Sequence, residues 1–120
     1  MKQIFVYGTL RKGFMNNERF LGKYKLIKKF RIKRLDLYDL GAYPIVVPNN
    51  ENKKGVVVEL YEVDHVLHKI IKKMEEGANY IEIRMHYKGR DAFMYMYPYI
   101  PLNAIHIESG DYTKYIKSLK

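Results

Sequence analysis

The chain lacks cysteine and tryptophan altogether, has only four prolines in 120 residues, and carries fewer acids than bases. Without cysteine, disulfides, thiolate metal sites and cysteine nucleophiles are excluded, and a reducing compartment is compatible. The apolar run that follows Met1, Lys2 and Gln3 is too short for a signal-peptide core or a membrane span. A soluble, cytoplasmic protein is therefore the expectation. Repeats and low-complexity linkers are also lacking, and the turn-rich segment Pro48–Lys54 is too short to divide the chain into domains. Residues 1–120 thus read as one domain, large enough to bury roughly two thirds of its unfolded surface. The shortage of acid, 13 Asp and Glu against 22 Lys and Arg, leaves a formal charge of +9. Such a charge favours encounter with anionic partners without naming one.

What is present is most informative at Ile4-Phe5-Val6-Tyr7-Gly8-Thr9-Leu10-Arg11-Lys12-Gly13, where an apolar strand stops at a glycine and runs into two cations. Gly8 can adopt backbone angles closed to other residues and lets a ligand approach without meeting a Cβ, while successive turn amides can converge on an anion. The stretch is a candidate cradle for a carboxylate or phosphate. As an isolated string it is more often a plain strand running out into a turn with solvated cations.

Gln3–Tyr7 reads as a buried strand and Asn16–Leu21 as a short helical turn. From Tyr24 to Leu40 apolar residues alternate with cations, the mark of strands with one wet face. Gly41-Ala42-Tyr43-Pro44 breaks that run, Ile45–Val47 resumes it, and Gly55–Val63 is a further strand. Asp64 is placed to cap a helix. Val66, Leu67, Ile70, Ile71 and Met74 then recur at helical spacing, which predicts an amphipathic helix from His65 to Glu75 or Glu76, ended by Gly77. Tyr80–Tyr87 and Ala92–Tyr99, joined by Lys88-Gly89-Arg90-Asp91, predict a hairpin. Asp111 caps a last short helix over Tyr112–Leu119. Mostly antiparallel strands with one main helix and short helices predict an α+β fold, with a small mixed sheet that is curled or barrel-like.

Glu75 and Glu76 stand at the C-terminal end of the long helix, where the macrodipole disfavours negative charge. Glu75 lies four residues after Ile71 and borders the apolar stripe, whereas Glu76 points about 100° further round. A carboxyl at the edge of a core is raised toward the range useful for proton transfer. The plain alternative is a pair of solvated charges at a helix end. His65 and His68 share a helix face, but no Glu intervenes between them in zincin style, so no metal site is assigned.

Taken in order, Tyr7-Gly8-Thr9-Leu10-Arg11, Gly41-Ala42-Tyr43-Pro44, Val58-Glu59-Leu60-Tyr61-Glu62-Val63, Met74-Glu75 and Tyr80 resemble the γ-glutamylcyclotransferase-like family, also called AIG2-like. Members open with Tyr-Gly-Ser/Thr-Leu, carry a Gly-Tyr-Pro turn and a Glu-Leu/Val-Tyr-Glu-Val strand, and have a helix ending Leu-Asp-x-Leu/Phe-Glu-Gly before Tyr-x-Arg. Three positions depart from that pattern: Lys72 replaces the Asp, Glu76 replaces the Gly, and Glu82 replaces the Arg. Registration on Ile71 and Met74 puts Glu75 on the catalytic position, while registration on the Glu-Gly dipeptide would select Glu76. Helical phase fixes side-chain direction and favours Glu75.

The resemblance implies a cofactor-independent enzyme that releases 5-oxoproline from a small γ-glutamyl substrate. Glu75 would be general base and acid, and Tyr7, Gly8, Thr9 and Leu10 would hold the glutamyl moiety. Arg11 would attract the substrate or sit exposed for solubility, and Tyr43, Tyr80 and Tyr97 are candidates for the pocket wall, with packing in the core the commoner role of aromatic residues on strands. A monomer or small homo-oligomer is implied, with no membrane partner. Two other readings are carried: a ligand-binding relative without turnover, motivated by the three departures, and a nucleic-acid-binding module using the tyrosines of Met94-Tyr95-Met96-Tyr97-Pro98-Tyr99 as a stacking platform.

Overall fold

Ile4, Phe5 and Val6 are all buried because the strand they form is covered on both faces and flanked on both sides. In the computed structural model, which describes residues 1–120, β1 (Lys2–Val6) lies between β5 (Val56–Val63) and β7 (Arg90–Met96). It runs antiparallel to β5, with Phe5 opposite Leu60, and parallel to β7, with Ile4 opposite Phe93. The sheet is completed by β2 (Leu26–Ile32) beyond β5 and by β6 (Ile81–Tyr87) beyond β7, in the order β2-β5-β1-β7-β6. Burial follows position. Central β5 is buried at every residue but Glu62, whereas edge strand β2 exposes Lys28, Lys29 and Arg31 beside buried Phe30 and Ile32. Edge strand β6 has no fully buried residue, with Ile81 and Ile83 exposed and Glu82 half-buried between them. A second sheet has the order β4-β3-β8, from β3 (Leu35–Asp39), β4 (Pro44–Pro48) and β8 (Ile105–His106). Neither sheet closes on itself. The Tyr97 amide donates to the Val46 carbonyl at 3.0 Å and so ties the end of β7 to β4. The expected α+β architecture with a mixed sheet, one main helix and short helices is the one observed.

Helix α1 (His65–Gly77) starts as expected, with the Asp64 carboxylate accepting from the Leu67 amide at 2.8 Å. Its other end differs. Gly77 stays inside the helix, and the left-handed residue is Asn79, with φ of 74°. The Tyr80 amide donates to the Glu75 carbonyl at 3.1 Å and the Asn79 amide to the Glu76 carbonyl at 3.1 Å, the Schellman pair of bonds with Asn79 in the place usually taken by glycine. Gly77 therefore has no conformational task, and a Cβ added there would meet nothing within 4 Å. Gly77→Ala is expected to raise stability by about 0.5–1 kcal/mol through lost unfolded-state entropy, read as a higher urea midpoint at unchanged m-value.

The apolar stripe of α1 is only partly a core stripe. Ile71 is the helix's one fully buried residue, while Val66, Ile70 and Met74 face outward. At about 100° per residue that row lies about 100° round the helix from the parallel row Leu67, Ile71 and Glu75, which with His68 occupies the buried arc. Its drift of about 40° per step brings only Met74 close to that arc. The turn after β6 is tighter than expected: Lys88 and Gly89 alone link the strands, both with positive φ, a two-residue primed turn matched to strand twist. The helical segment at Asn17–Leu21 is π-like, and Asn16 makes no side-chain cap there. The last helix, α2 (Tyr112–Ser118), is capped by Asp111.

Arg11 overturns both of its expected roles. It is 3% exposed, with Nε at 2.9 Å from Glu59 Oε2 and a terminal nitrogen at 2.8 Å from Asp111 Oδ1. Glu59, itself 4% exposed, also accepts from the Lys12 amide and the Tyr61 hydroxyl. This network pins the turn after β1 to β5 and to the cap of α2. Met94, Tyr95, Met96 and Tyr97 are likewise buried, so they offer no stacking platform; only Tyr99 of that segment's aromatics is exposed. No helix is long and apolar enough to cross a membrane.

Candidate active site

Where β1 ends, the chain turns sharply, and the Arg11 amide donates to the Gly8 carbonyl at 3.0 Å. Gly8 is required here by space rather than by left-handed angles: a Cβ would lie 2.5 Å from Cγ of Pro44. The turn can therefore seat directly on the Pro44 ring. The amides of Gly8, Thr9 and Leu10 donate to no acceptor within the protein, and all three residues line a cavity of about 160 Å³. Thr9 is held from outside by Asn16, whose side-chain amide donates to Thr9 Oγ1 at 3.0 Å.

The end of α1 forms the facing wall. Met74, Glu75 and Ala78 line the same cavity, together with Tyr7, Tyr43, Pro44, Tyr80 and Tyr95. Glu75 is thus on the cavity with the whole Tyr7-Gly8-Thr9-Leu10 loop, whereas Glu76 is exposed and absent from the lining. Burial alone pushes the Glu75 carboxyl up to about 7, with no hydrogen bond or cation to offset it. Burial is also the leading cause that holds Tyr7, Tyr80 and Tyr95 above the ordinary phenol range, with the Glu75 charge contributing at each. Each of those hydroxyls is committed as a donor: Tyr7 to the Tyr95 carbonyl at 2.6 Å, Tyr80 to the Pro44 carbonyl at 2.6 Å, and Tyr95 to Glu82 at 2.8 Å. Glu75 is left as the lining carboxyl that changes charge near neutral pH.

Tyr80 joins the two walls. Its amide bonds the Glu75 carbonyl, its hydroxyl bonds Pro44, and Pro44 carries Gly8. Of the other tyrosines considered from sequence, Tyr43 lines the cavity, while Tyr97 stands behind it, edge-on to Tyr80 with centroids 5.3 Å apart. Tyr95, read from sequence as part of a stacking platform, and Pro44, read only as part of the Gly41–Pro44 break and turn motif, are wall residues that the sequence did not place on the pocket.

Two of the three sequence departures are one feature. Lys72 Nζ lies 3.5 Å from Glu82 Oε1, so a cation on the helix faces an anion on β6, the reverse of the Asp and Arg in the family pattern. Glu82 also meets His68 Nε2 at 2.9 Å, and that imidazole stacks on Phe93 with centroids 4.7 Å apart. His68 is accordingly a member of this packing and not a ligand paired with exposed His65.

The fold and site define a small α+β domain whose pocket opposes a glycine turn with unpaired amides to one desolvated carboxyl at a helix end. The chain belongs to the gamma-glutamyl cyclotransferase, AIG2-like family, whose pattern matches residues 4–114. It is 37% identical over 121 residues to MJ1514 of Methanocaldococcus jannaschii, covering 96% of this chain and 98% of that one. It is 33% identical over 112 residues to the gamma-glutamylcyclotransferase family protein YtfP of Escherichia coli, covering 92% and 95%. Among solved structures, PH0828 from Pyrococcus horikoshii superposes with a TM-score of 0.83 at 30% identity, over 99% of this chain and 96% of that one. An AIG2-like protein from Mus musculus shares the fold at a TM-score of 0.71 and 23% identity, over 92% and 88%.

Proposed function

We propose that the protein is a γ-glutamyl cyclotransferase that releases 5-oxoproline and a free amine, with Glu75 as the proton carrier. The observation that carries this reading is the placement of a carboxyl titrating near 7 on the same small cavity as three unbonded turn amides. The substrate's α-amine attacks its own γ-carbonyl carbon, a C–N bond forms to close the five-membered ring, and the bond to the leaving nitrogen breaks. Both reacting groups are on one molecule, and well-oriented intramolecular reactions reach effective molarities of about 10⁵–10⁸ M. An ammonium cannot attack, so the Glu75 carboxylate takes a proton from it and later gives one to the departing amine. The amides of Gly8, Thr9 and Leu10 supply donors for the α-carboxylate or for the oxyanion that develops on the γ-carbonyl.

The test is release of 5-oxoproline from a panel of γ-glutamyl amines and peptides, with wild type and Glu75→Gln side by side. Release by wild type alone is expected. Binding of 5-oxoproline with no release from any donor would replace this reading with that of a non-catalytic binding relative. Gly8→Ala should also be tested, because its Cβ must push the turn off the rigid Pro44 ring. A displacement of that order at a positioning element is expected to lower kcat/KM by about 10² while the far-UV spectrum stays native.

A further inference from the structure

The cavity, about 160 Å³, is smaller than the roughly 300–1,000 Å³ of sites that enclose drug-sized ligands. On the reading above, the γ-glutamyl group fills it, and the amine to which that group is joined lies outside. What the amine meets is set by the rim. None of the lining residues is Lys, Arg or His, although the chain holds 22 Lys and Arg. The two lining residues that open to solvent are Tyr43, 38% exposed, and Met74, 39% exposed. Met74 is also the inner end of a row on α1, followed outward by Ile70 and Val66, which are 48% and 69% exposed. Four-residue spacing puts the three on one ridge about 12 Å long that runs from the rim toward the start of the helix. Lys69 and Lys73 are exposed and border the ridge on its solvent side.

We infer that this ridge is a leaving-group subsite, which takes an uncharged apolar chain on the γ-amide nitrogen and disfavours a cationic tail. The inference rests on the cyclotransferase reading for the position of the scissile bond. Continuity with the rim at Met74 is what favours substrate as the occupant over a second copy of the chain. An alkyl chain leaving the cavity has apolar surface under it at Met74, Ile70 and Val66 in succession. A fully buried methylene is worth roughly fourfold in affinity, and one covered on a single side about half that in free energy, or twofold. Five extra methylenes then give roughly 10- to 30-fold. An ammonium at the end of the same chain meets Lys69 and Lys73 and loses that gain.

The experiment compares L-γ-glutamyl methylamide, n-hexylamide and 6-aminohexylamide, both as donors for wild type by kcat/KM and as ligands of Glu75→Gln by calorimetry. The hexylamide is expected to exceed the methylamide by roughly 10- to 30-fold in both measurements, with the aminohexylamide close to the methylamide. Ile70→Ser should bring hexylamide within about threefold of methylamide, because only the longer chain reaches that side chain. A hexyl-to-methyl ratio near 1 in wild type overturns the inference. So does a dimer that Ile70→Ser splits while the ratio stays near 1, which would assign the ridge to a second copy. Binding with the expected ratio but no 5-oxoproline from any donor overturns the cyclotransferase reading alone, and binding of none of the three overturns both.

Discussion

Glu75→Gln is expected to lower 5-oxoproline release by at least about 10²–10⁴, the usual worth of a positioned general acid–base group, and at the same time to stabilise the protein in alkaline buffer. The two effects share a cause. Burial raises the folded-state carboxyl from 4.5 to about 7, so the folded protein holds a proton that the unfolded chain gives up. The stability this contributes is fully present below about 4.5 and is lost as pH rises through about 7. At pH 8 the folded protein therefore bears a desolvated charge that glutamine does not carry. At about 1.4 kcal/mol per pH unit the shift sets a ceiling of about 3 kcal/mol, and partial exposure of the side chain reduces the expected gain to about 1–2 kcal/mol. Wild-type kcat/KM should rise with pH through about 7, because the carboxylate form is the base. Urea melts at pH 4 and pH 8, with the pH–rate profile, check all three. A variant that is less stable than wild type at pH 8, or a wild-type profile flat through 7, would remove Glu75 from this role.

Arg11→Met is expected to cost about 3–5 kcal/mol, a large fraction of the 5–15 kcal/mol by which domains of this size are stable. Arg11 is the cation of a buried cluster in which Glu59 and Asp111 each receive one guanidinium nitrogen. Removing it strands the Glu59 carboxylate at 4% exposure with only the Lys12 amide and the Tyr61 hydroxyl as donors. Arg11→Lys should not restore the loss, since an ammonium cannot span both carboxylates as a guanidinium fork does. Adding Glu59→Gln to Arg11→Met should recover some of it by removing the uncompensated charge. Equilibrium urea unfolding reads each variant, and a cost under about 1 kcal/mol for Arg11→Met would mean the pair behaves as a surface ion pair.

Local rules carried most of the elements. Alternation in Tyr24–Leu40 placed strands β2 and β3, but the wet face it implied holds only for β2, since β3 is buried at every residue except half-buried Tyr38. The Asp64 cap located the start of α1, and Lys88-Gly89-Arg90-Asp91 marked the hairpin, whose turn is its first two residues. Helical phase alone was enough to turn Glu75 inward and Glu76 outward, because side-chain direction on a helix is set by backbone geometry. The same phase argument failed for Val66, Ile70 and Met74, since periodicity says which residues share a face and not how wide an arc the neighbouring sheet will cover. Asn79 took the left-handed cap expected of Gly77 because the Schellman bonds select a position relative to the last turn, and asparagine tolerates it.

By itself the sequence determined the α+β class, the helix that presents Glu75, the glycine turn and the family pattern that orders them, because each element and each motif is set by residues close together in the chain and their order is read directly along it. Tertiary structure alone decided that Arg11 is buried, since its partners Glu59 and Asp111 lie 48 and 100 residues away, that Gly8 exists to admit Pro44, and that Lys72 answers Glu82. It also brought the unpaired amides of Gly8, Thr9 and Leu10 onto one cavity with the Glu75 carboxyl. The physical reason is that desolvation, which raises that carboxyl and gives each buried contact its strength, is a property of the space around a side chain and is set by elements distant in sequence.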